Sequence, residues 1–290
     1  SFIYVNTNVW NEYRSQPDSE KRLADLEKTL LGYEDTPQPA VTDVTLVLDL
    51  HPRAPRLTTV GSYVVENRTG APLAAVHLRW PENLDIVRLE VEGATIDRQW
   101  PEFDYRIYAF ATPMAPGETR TIRFETVREQ RGFRNGGNIN EIVDNGTFIN
   151  NGSFAPQIGM DRGGLLTDRT KRRKFGLEPE LRMRDLDDPV GARSNYIGAD
   201  WVNADITVTT DADQTPIAPG YKVSDTTEGD RRTARFVTEA PILHFFSVQS
   251  ADYEILRETH DGVALEIYHD PQHGRNAPRM ITALKASLDY

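Results

Sequence analysis

From residue 41 onward the chain alternates with a period of two. Val44, Leu46, Leu48 and Leu50 share one phase, and Thr45, Val47 and Asp49 share the other. Such alternation marks a strand with one buried face. Further strands are expected at 59–66, 75–80, 84–91, 105–111 and 119–127, punctuated by Asn67-Arg-Thr-Gly70, Glu92-Gly93 and Pro113-Met-Ala-Pro-Gly117. Alternation returns at 202–210, 231–238, 242–249, 253–258 and 263–268, with Val202, Ala204, Ile206 and Val208 on one face. Two segments carry the helical period instead. Residues 15–34 start at Ser15-x-x-Asp18, repeat Leu23, Leu26, Leu30 and Leu31, and stop at Gly32, Pro37 and Pro39. Residues 277–289 align Met280, Ile281, Leu284 and Leu288 in one stripe, expected to leave an exposed apolar patch near Ile281, Leu284 and Leu288. The pattern predicts a mainly β fold, an antiparallel sandwich or related open β structure, with a short helix near each end.

Residues 129–200 break the pattern. They hold Arg131-Gly-Phe-Arg-Asn-Gly-Gly-Asn138, Asp144-Asn-Gly146 and Asn150-Asn-Gly-Ser153, and read as a long irregular excursion over one edge or face of the β layers. Arg169-Thr-Lys-Arg-Arg-Lys174 reads as a short solvated helix, with Asp185, Asp187 and Asp188 close by. Against 33 Lys and Arg stand 44 Asp and Glu, a net charge of -11. That balance argues against a nucleic-acid partner, which needs a basic surface to displace counterions. The absence of cysteine excludes disulfides, thiolate metal sites and Cys nucleophiles. No apolar run approaches the roughly 20 residues that span a bilayer. The chain opens at Ser1 with neither an initiator Met nor a signal-peptide pattern, and reads as an excised piece. Phe2-Ile3-Tyr4-Val5 suits an ordinary N-terminal strand or the interfacial end of a preceding membrane helix.

His269-Asp-Pro-Gln-His273 superficially resembles the H-E-x-x-H zinc motif, but Asp stands in place of Glu and Pro271 precludes a continuous helix. A polar turn after a strand is expected there, with no metal ligand. His244, in an apolar strand, reads as a core or edge residue. Asn67, Asn145 and Asn151 each open an N-x-[ST] sequon, a tripeptide common by chance. Residues alone thus lead to a mostly-β domain with a long polar insertion and no catalytic set.

The order of features carries further. Ala204-Asp-Ile-Thr-Val208, Ala218-Pro-Gly-Tyr221 and Ala240-Pro-Ile-Leu-His-Phe-Phe-Ser-Val-Gln-Ser250 with Tyr253-Glu254 resemble the closing part of the N-terminal β domain of aminopeptidase N-like zinc metallopeptidases. Residues 263–289 resemble the entry to that family's catalytic domain. A narrower resemblance, to bacterial ABC transporter permeases fused to an aminopeptidase-like domain, covers nearly the whole chain. It rests on Tyr4-Val-Asn-Thr-Asn-Val9, Asn11-Glu-Tyr-Arg14, Arg131-Gly-Phe-Arg-Asn-Gly-Gly137, Ala155-Pro-Gln-Ile-Gly159, Arg172-Arg-Lys-Phe-Gly-Leu177 and Ala283-Leu-Lys-Ala-Ser-Leu-Asp-Tyr290.

The resemblance implies a juxtamembrane segment and helix at 1–40, a saddle-like β domain at 41–260 and the start of a catalytic domain at 261–290. It implies no cofactor in these residues, with zinc held by a following domain of the parent, itself an aminopeptidase. The implied partners are that following domain, a membrane domain before Ser1, peptides, and a second copy of the chain. The implied location is the extracytoplasmic side of a bacterial inner membrane. A Gln or Glu of the family's β domain borders the site that holds the substrate amino terminus. By order this is Gln157, facing a peptide cleft near Asn150 and Asn151; a turn around Pro156 is the alternative role. Two other functions remain open: an independent β-sandwich binding module that presents the 129–200 loops, and a degenerate peptidase-like part of a transporter.

Overall fold

The computed structural model describes residues 2–134, 140–181, 185, 187–188 and 199–290. Its largest sheet is built on the two strongest alternating segments. Strand β1 (Ala40–His51) buries Val44, Leu46, Leu48 and Leu50, and β10 (Trp201–Asp211) buries Val202, Ala204, Ile206 and Val208. The two lie side by side and parallel, Asp43 opposite Asn203 through Asp49 opposite Thr209. Every other pairing in the sheet is antiparallel. On one side of β1 follow β2 (Arg56–Glu66), β7 (Thr119–Glu129) and β4 (Asp85–Val91). On the far side of β10 come β13 (Arg231–Val237) and β12 (Tyr221–Glu228), while β14 (Ile242–Leu243) pairs with the start of β10. The sheet is therefore mixed, two antiparallel halves joined at a central parallel pair.

A second β layer covers the buried face of this sheet and consists of two smaller sheets. One is β5 (Ala94–Trp100), β6 (Tyr105–Met114), β3 (Leu73–Arg79) and β9 (Gln157–Ile158). The other is β11 (Thr215–Ile217), β15 (Ser247–Ala251) and β8 (Thr147–Asn150). Val76, Leu78, Tyr108 and Phe110 from the first, and Ile149 and Val248 from the second, join the core residues of the large sheet in one cluster. Removal of these side chains from water is the main favourable term holding the layers together.

The alternate residues of β3 and β6 face outward, where a helix covers them. Helix α2 (Gln16–Leu30), which follows the short N-terminal turn α1 (Phe2–Tyr4), starts at Ser15, whose hydroxyl accepts the Asp18 amide at 3.3 Å, with Pro17 in the first turn. Its Leu30 packs with Tyr105, Ile107 and Met160. In the same layer His77 bonds through Nδ1 to the Tyr105 hydroxyl at 2.8 Å, with Tyr33 edge-on to the imidazole.

The described part of 129–200 is more regular than its composition suggests. Besides β8 and β9 it holds α3 (Asn151–Phe154) and α4 (Arg169–Lys174). The basic helix is present, but it is not wholly solvated: Arg172 is buried and forms a bidentate pair with Glu27 of α2 at 2.9 and 2.7 Å. Part of the excursion, including Asn135–Asn138 of the Gly-rich word, lies outside the described residues.

At the end of the chain β16 (Glu254–His260) and β17 (Val263–His269) form a hairpin whose turn, Asp261-Gly262, has both residues at positive φ. Helix α5 (Ala277–Asp289) lies on it. Ile281 and Ala277 pack on Leu265, Ile267 and Leu256 in a small separate core. Ile281 is thus inside, not in the surface patch expected for it, because it faces the hairpin; Met280, Leu284 and Leu288 stay exposed. His269 ends β17, and His273 lies in a turn closed by its own amide on the Asp270 carbonyl at 2.9 Å, so that segment is the polar turn its sequence predicts.

Candidate functional site

The residues singled out in sequence lie where the second layer folds back on the large sheet. Asn150 ends β8. The Asn151 amide donates to the Phe246 carbonyl at 3.0 Å, and its side chain brackets the same strap. Asn151 Nδ2 donates to the His244 carbonyl at 3.1 Å, and Oδ1 accepts from the Phe246 amide at 3.2 Å. One turn of helix follows, closed by Ala155 on Asn151 at 3.1 Å. Phe154 enters the core, while its carbonyl accepts the Thr126 hydroxyl at 2.7 Å. The Pro156 carbonyl accepts the Tyr63 hydroxyl at 3.1 Å. Hydroxyls from β2 and β7 thus satisfy two backbone groups of a turn that a ladder cannot reach.

Gln157 leaves this turn as the first residue of β9, opposite Arg79. Its side chain folds back over Gly152. A Cβ on Gly152 would stand 2.7 Å from Gln157 Nε2 and 3.1 Å from Asn150 Oδ1. The amides of Gln157 and Asn150 therefore converge over Gly152, and the missing side chain there permits their approach. Asn151 turns the other way, with its amide committed to the 244–246 backbone. An Asn/Gln pair offers two acceptors and two NH2 donors and does not ionise. It can orient a polar or cationic group, but it cannot transfer a proton.

The surroundings are charged and partly buried. Ser153 Oγ donates to Glu141 Oε1 at 2.6 Å, and Arg128 Nη2 holds the other oxygen of Glu141. Arg79 pairs with Asp161 at 2.7 Å. His244 sits edge-on to Tyr63, ring centroids 5.2 Å apart. Burial pushes the His244 imidazole down to about 4, so it is neutral at ordinary pH. Among the described residues its Nε2 finds no hydrogen-bond partner. Burial likewise drives the Tyr63 phenol well above its usual range. Tyr63, Thr126, Glu141 and Ser153 were not legible as a group in the sequence. They lie on separate elements, and no spacing rule links them.

Among the described residues, His269 and His273 join no group of three metal-ligating side chains. The imidazoles of His269 and His273 each direct Nδ1 to Asp270, at 2.9 Å to its carbonyl and 2.9 Å to its carboxylate. Among the described residues, His260, Asp261 and Asp289 bring ligand atoms within 4.8 Å of one another. There His260 bonds Asp289 at 2.6 Å and ties the hairpin tip to the end of α5. A single half-buried His with two exposed carboxylates does not match the open two-His site of a zinc hydrolase.

No family model matches the chain, and no curated protein does. Solved structures do. The M1 zinc metallopeptidase from Deinococcus radiodurans aligns over 83% of this chain and 49% of its own, at 13% identity and a TM-score of 0.50. A mutant of the M1 zinc metallopeptidase from the same organism, bound to a Tyr-Ser-Ala substrate, aligns over 86% of this chain and 55% of its own, at 12% identity and a TM-score of 0.50. The chain spans about half the length of these neighbours. At such identity the likeness is one of fold: this chain resembles the N-terminal domain of M1 metallopeptidases.

Proposed function

We propose that this chain is a non-catalytic N-terminal β domain of an aminopeptidase-like protein, which supports a following peptidase domain and borders its peptide cleft. The reading is carried by the fold likeness to a substrate-bound M1 metallopeptidase over about half of that protein's length. The amide pair of Gln157 and Asn150 over Gly152 gives it a site. An amide oxygen held by a braced turn suits the ammonium group of a peptide amino terminus, through a charge-assisted hydrogen bond. Zinc and the hydrolytic residues belong, in this reading, to the following domain.

The finer form of the proposal is a parent fused to an ABC transporter permease, with this domain on the extracytoplasmic side of a bacterial inner membrane. Sequence resemblance at Tyr4–Val9, Asn11–Arg14 and Arg131–Gly137 supports it. Among the described residues no helix is long and apolar enough to cross a membrane; in this reading the tether belongs to another part of the parent.

Kinetics of an active parent test the site. Loss of one hydrogen bond to a charged group costs about 1.5–3 kcal/mol. Gln157→Ala should therefore raise KM roughly tenfold or more, with kcat and thermal stability close to wild type. An unchanged KM would leave Gln157 as a turn residue and remove the peptide cleft from this face.

A further inference from the structure

Among the described residues two arginines are buried, Arg172 at 3% exposure and Arg128 at 6%. Their hydrogen bonding differs. Every nitrogen of the Arg172 guanidinium donates to a protein oxygen: Nη1 and Nη2 to Glu27, Nη1 also to the Leu166 carbonyl, and Nε to the Glu178 carbonyl. Arg128 falls short of that. Its Nη2 meets Glu141, but its Nε and Nη1 are buried and find no partner among the described residues. A guanidinium carries five N–H donors and keeps its charge, and a buried donor left without an acceptor is costly.

The deficit extends around Arg128. This residue is the last core-facing position of β7, opposite Leu57 of β2. Thr59 lies one diagonal away across the same ladder. It is fully buried, and its hydroxyl likewise finds no partner among the described residues. So does Oε1 of Gln130, two residues beyond Arg128. A second cation stands close. Burial first, and also the like charge of Arg128, pull the Arg134 guanidinium below its usual range, against Glu82 and Asp85. Gln130 and Glu141 are only half-buried, which leaves a way in from solvent beside them.

We infer that the Arg128 corner binds a small carboxylate anion of acetate size. A carboxylate is planar, accepts N–H donors at both oxygens and makes charge-assisted bonds to guanidinium. The Thr59 hydroxyl supplies a further donor. The added negative charge offsets the repulsion between Arg128 and Arg134. Glu141, Glu82 and Asp85 already bring negative charge to the pair, which favours a monoanion over a phosphate dianion. The depth of the donors restricts the ligand to a compact one. Bound there, it would hold the end of β7 against Glu141, which Ser153 in turn ties to α3 at 2.6 Å. The inference does not rest on the amide pair of Gln157 and Asn150.

The test uses the 290-residue chain in chloride-free buffer with 13C-labelled acetate, read by line broadening of the acetate resonance and by melting temperature. Acetate should broaden saturably and raise the melting temperature, and phosphate at equal ionic strength should do less. Arg128→Lys keeps a cation for Glu141 but removes the Nε and Nη1 donors, and should weaken acetate binding roughly tenfold or more. Should that variant fail to fold, Thr59→Val leaves the Arg128–Glu141 pair intact and should weaken binding about fivefold. Gln157→Ala should bind acetate like wild type, which separates this outcome from that of the peptide-cleft reading. Absence of a saturable acetate effect would overturn the inference, since buried water would then complete the donors. An equal response to chloride or phosphate, or acetate binding unchanged in a folded Arg128→Lys and in Thr59→Val, would overturn it too.

Discussion

Arg172→Ala tests the packing of α4 on α2 most directly. Arg172 and Glu27 are 3% and 8% exposed, and the guanidinium meets both carboxylate oxygens at 2.7 and 2.9 Å. The same group donates to the Leu166 carbonyl at 2.6 Å and to the Glu178 carbonyl at 2.7 Å. Truncation removes the partner that the described residues give to a buried carboxylate and leaves two carbonyls without that donor. Breaking one side of such a pair costs about 3–5 kcal/mol, because the remaining charge is left uncompensated in a poorly solvated site. A six-residue helix can swing away and admit water to Glu27, which places the expected loss near the lower figure, about 3 kcal/mol. Urea unfolding measures the total, and tryptic cleavage within Arg169–Lys174 reports the local release. The double variant Glu27→Leu/Arg172→Met replaces the pair with apolar groups and should recover most of the loss. A loss below about 1 kcal/mol for Arg172→Ala, with unchanged cleavage, would refute the claim that this pair docks the helix.

Two further outcomes follow from the same structure. Burial lowers His77 and His244 to about 4, so each binds a proton more tightly when unfolded; stability present above about pH 6.5 should fall progressively toward pH 4. Asp104, which burial pushes up to about 6, opposes part of this trend. The melting temperature against pH checks it: His77→Gln should flatten the acid limb, and an equal slope in the variant would contradict the assignment. At the other end of the chain the face of α5 divides in two. Ile281→Ala should destabilise the hairpin–helix unit by about 2–5 kcal/mol, read by hydrogen exchange over 254–289. Leu284→Ser with Leu288→Ser should leave that unit stable and lower any self-association in light scattering. Equal effects of the two sets would contradict the division.

The sequence by itself determined the elements that bury a face. β1, β2, β7, β10 and β13 appear close to where the period of two places them, because each alternates core and surface residues. Helix α2 follows from leucine spacing and its Ser15 cap, and α5 from its apolar stripe, for the same reason. The longer strands that escaped notice, β5 and β12, end their sheets; β12 is exposed along its whole length, so nothing in its side chains records the pairing. Gln157 and Asn150 were legible as candidates through resemblance, but their convergence over Gly152, the hydroxyls of Tyr63 and Thr126 that brace the turn, and the inward commitment of Asn151 were not. Only the tertiary structure decided the parallel contact of β1 with β10, about 160 residues apart at Asp43 and Asn203, and the hydrogen bonds that set Asn6 on Phe133 and Asn11 on Arg131. Periodicity records whether a side chain meets core or water. It carries no information on which distant segment supplies the neighbour, since that choice is made by the summed packing and hydrogen bonding of the whole chain.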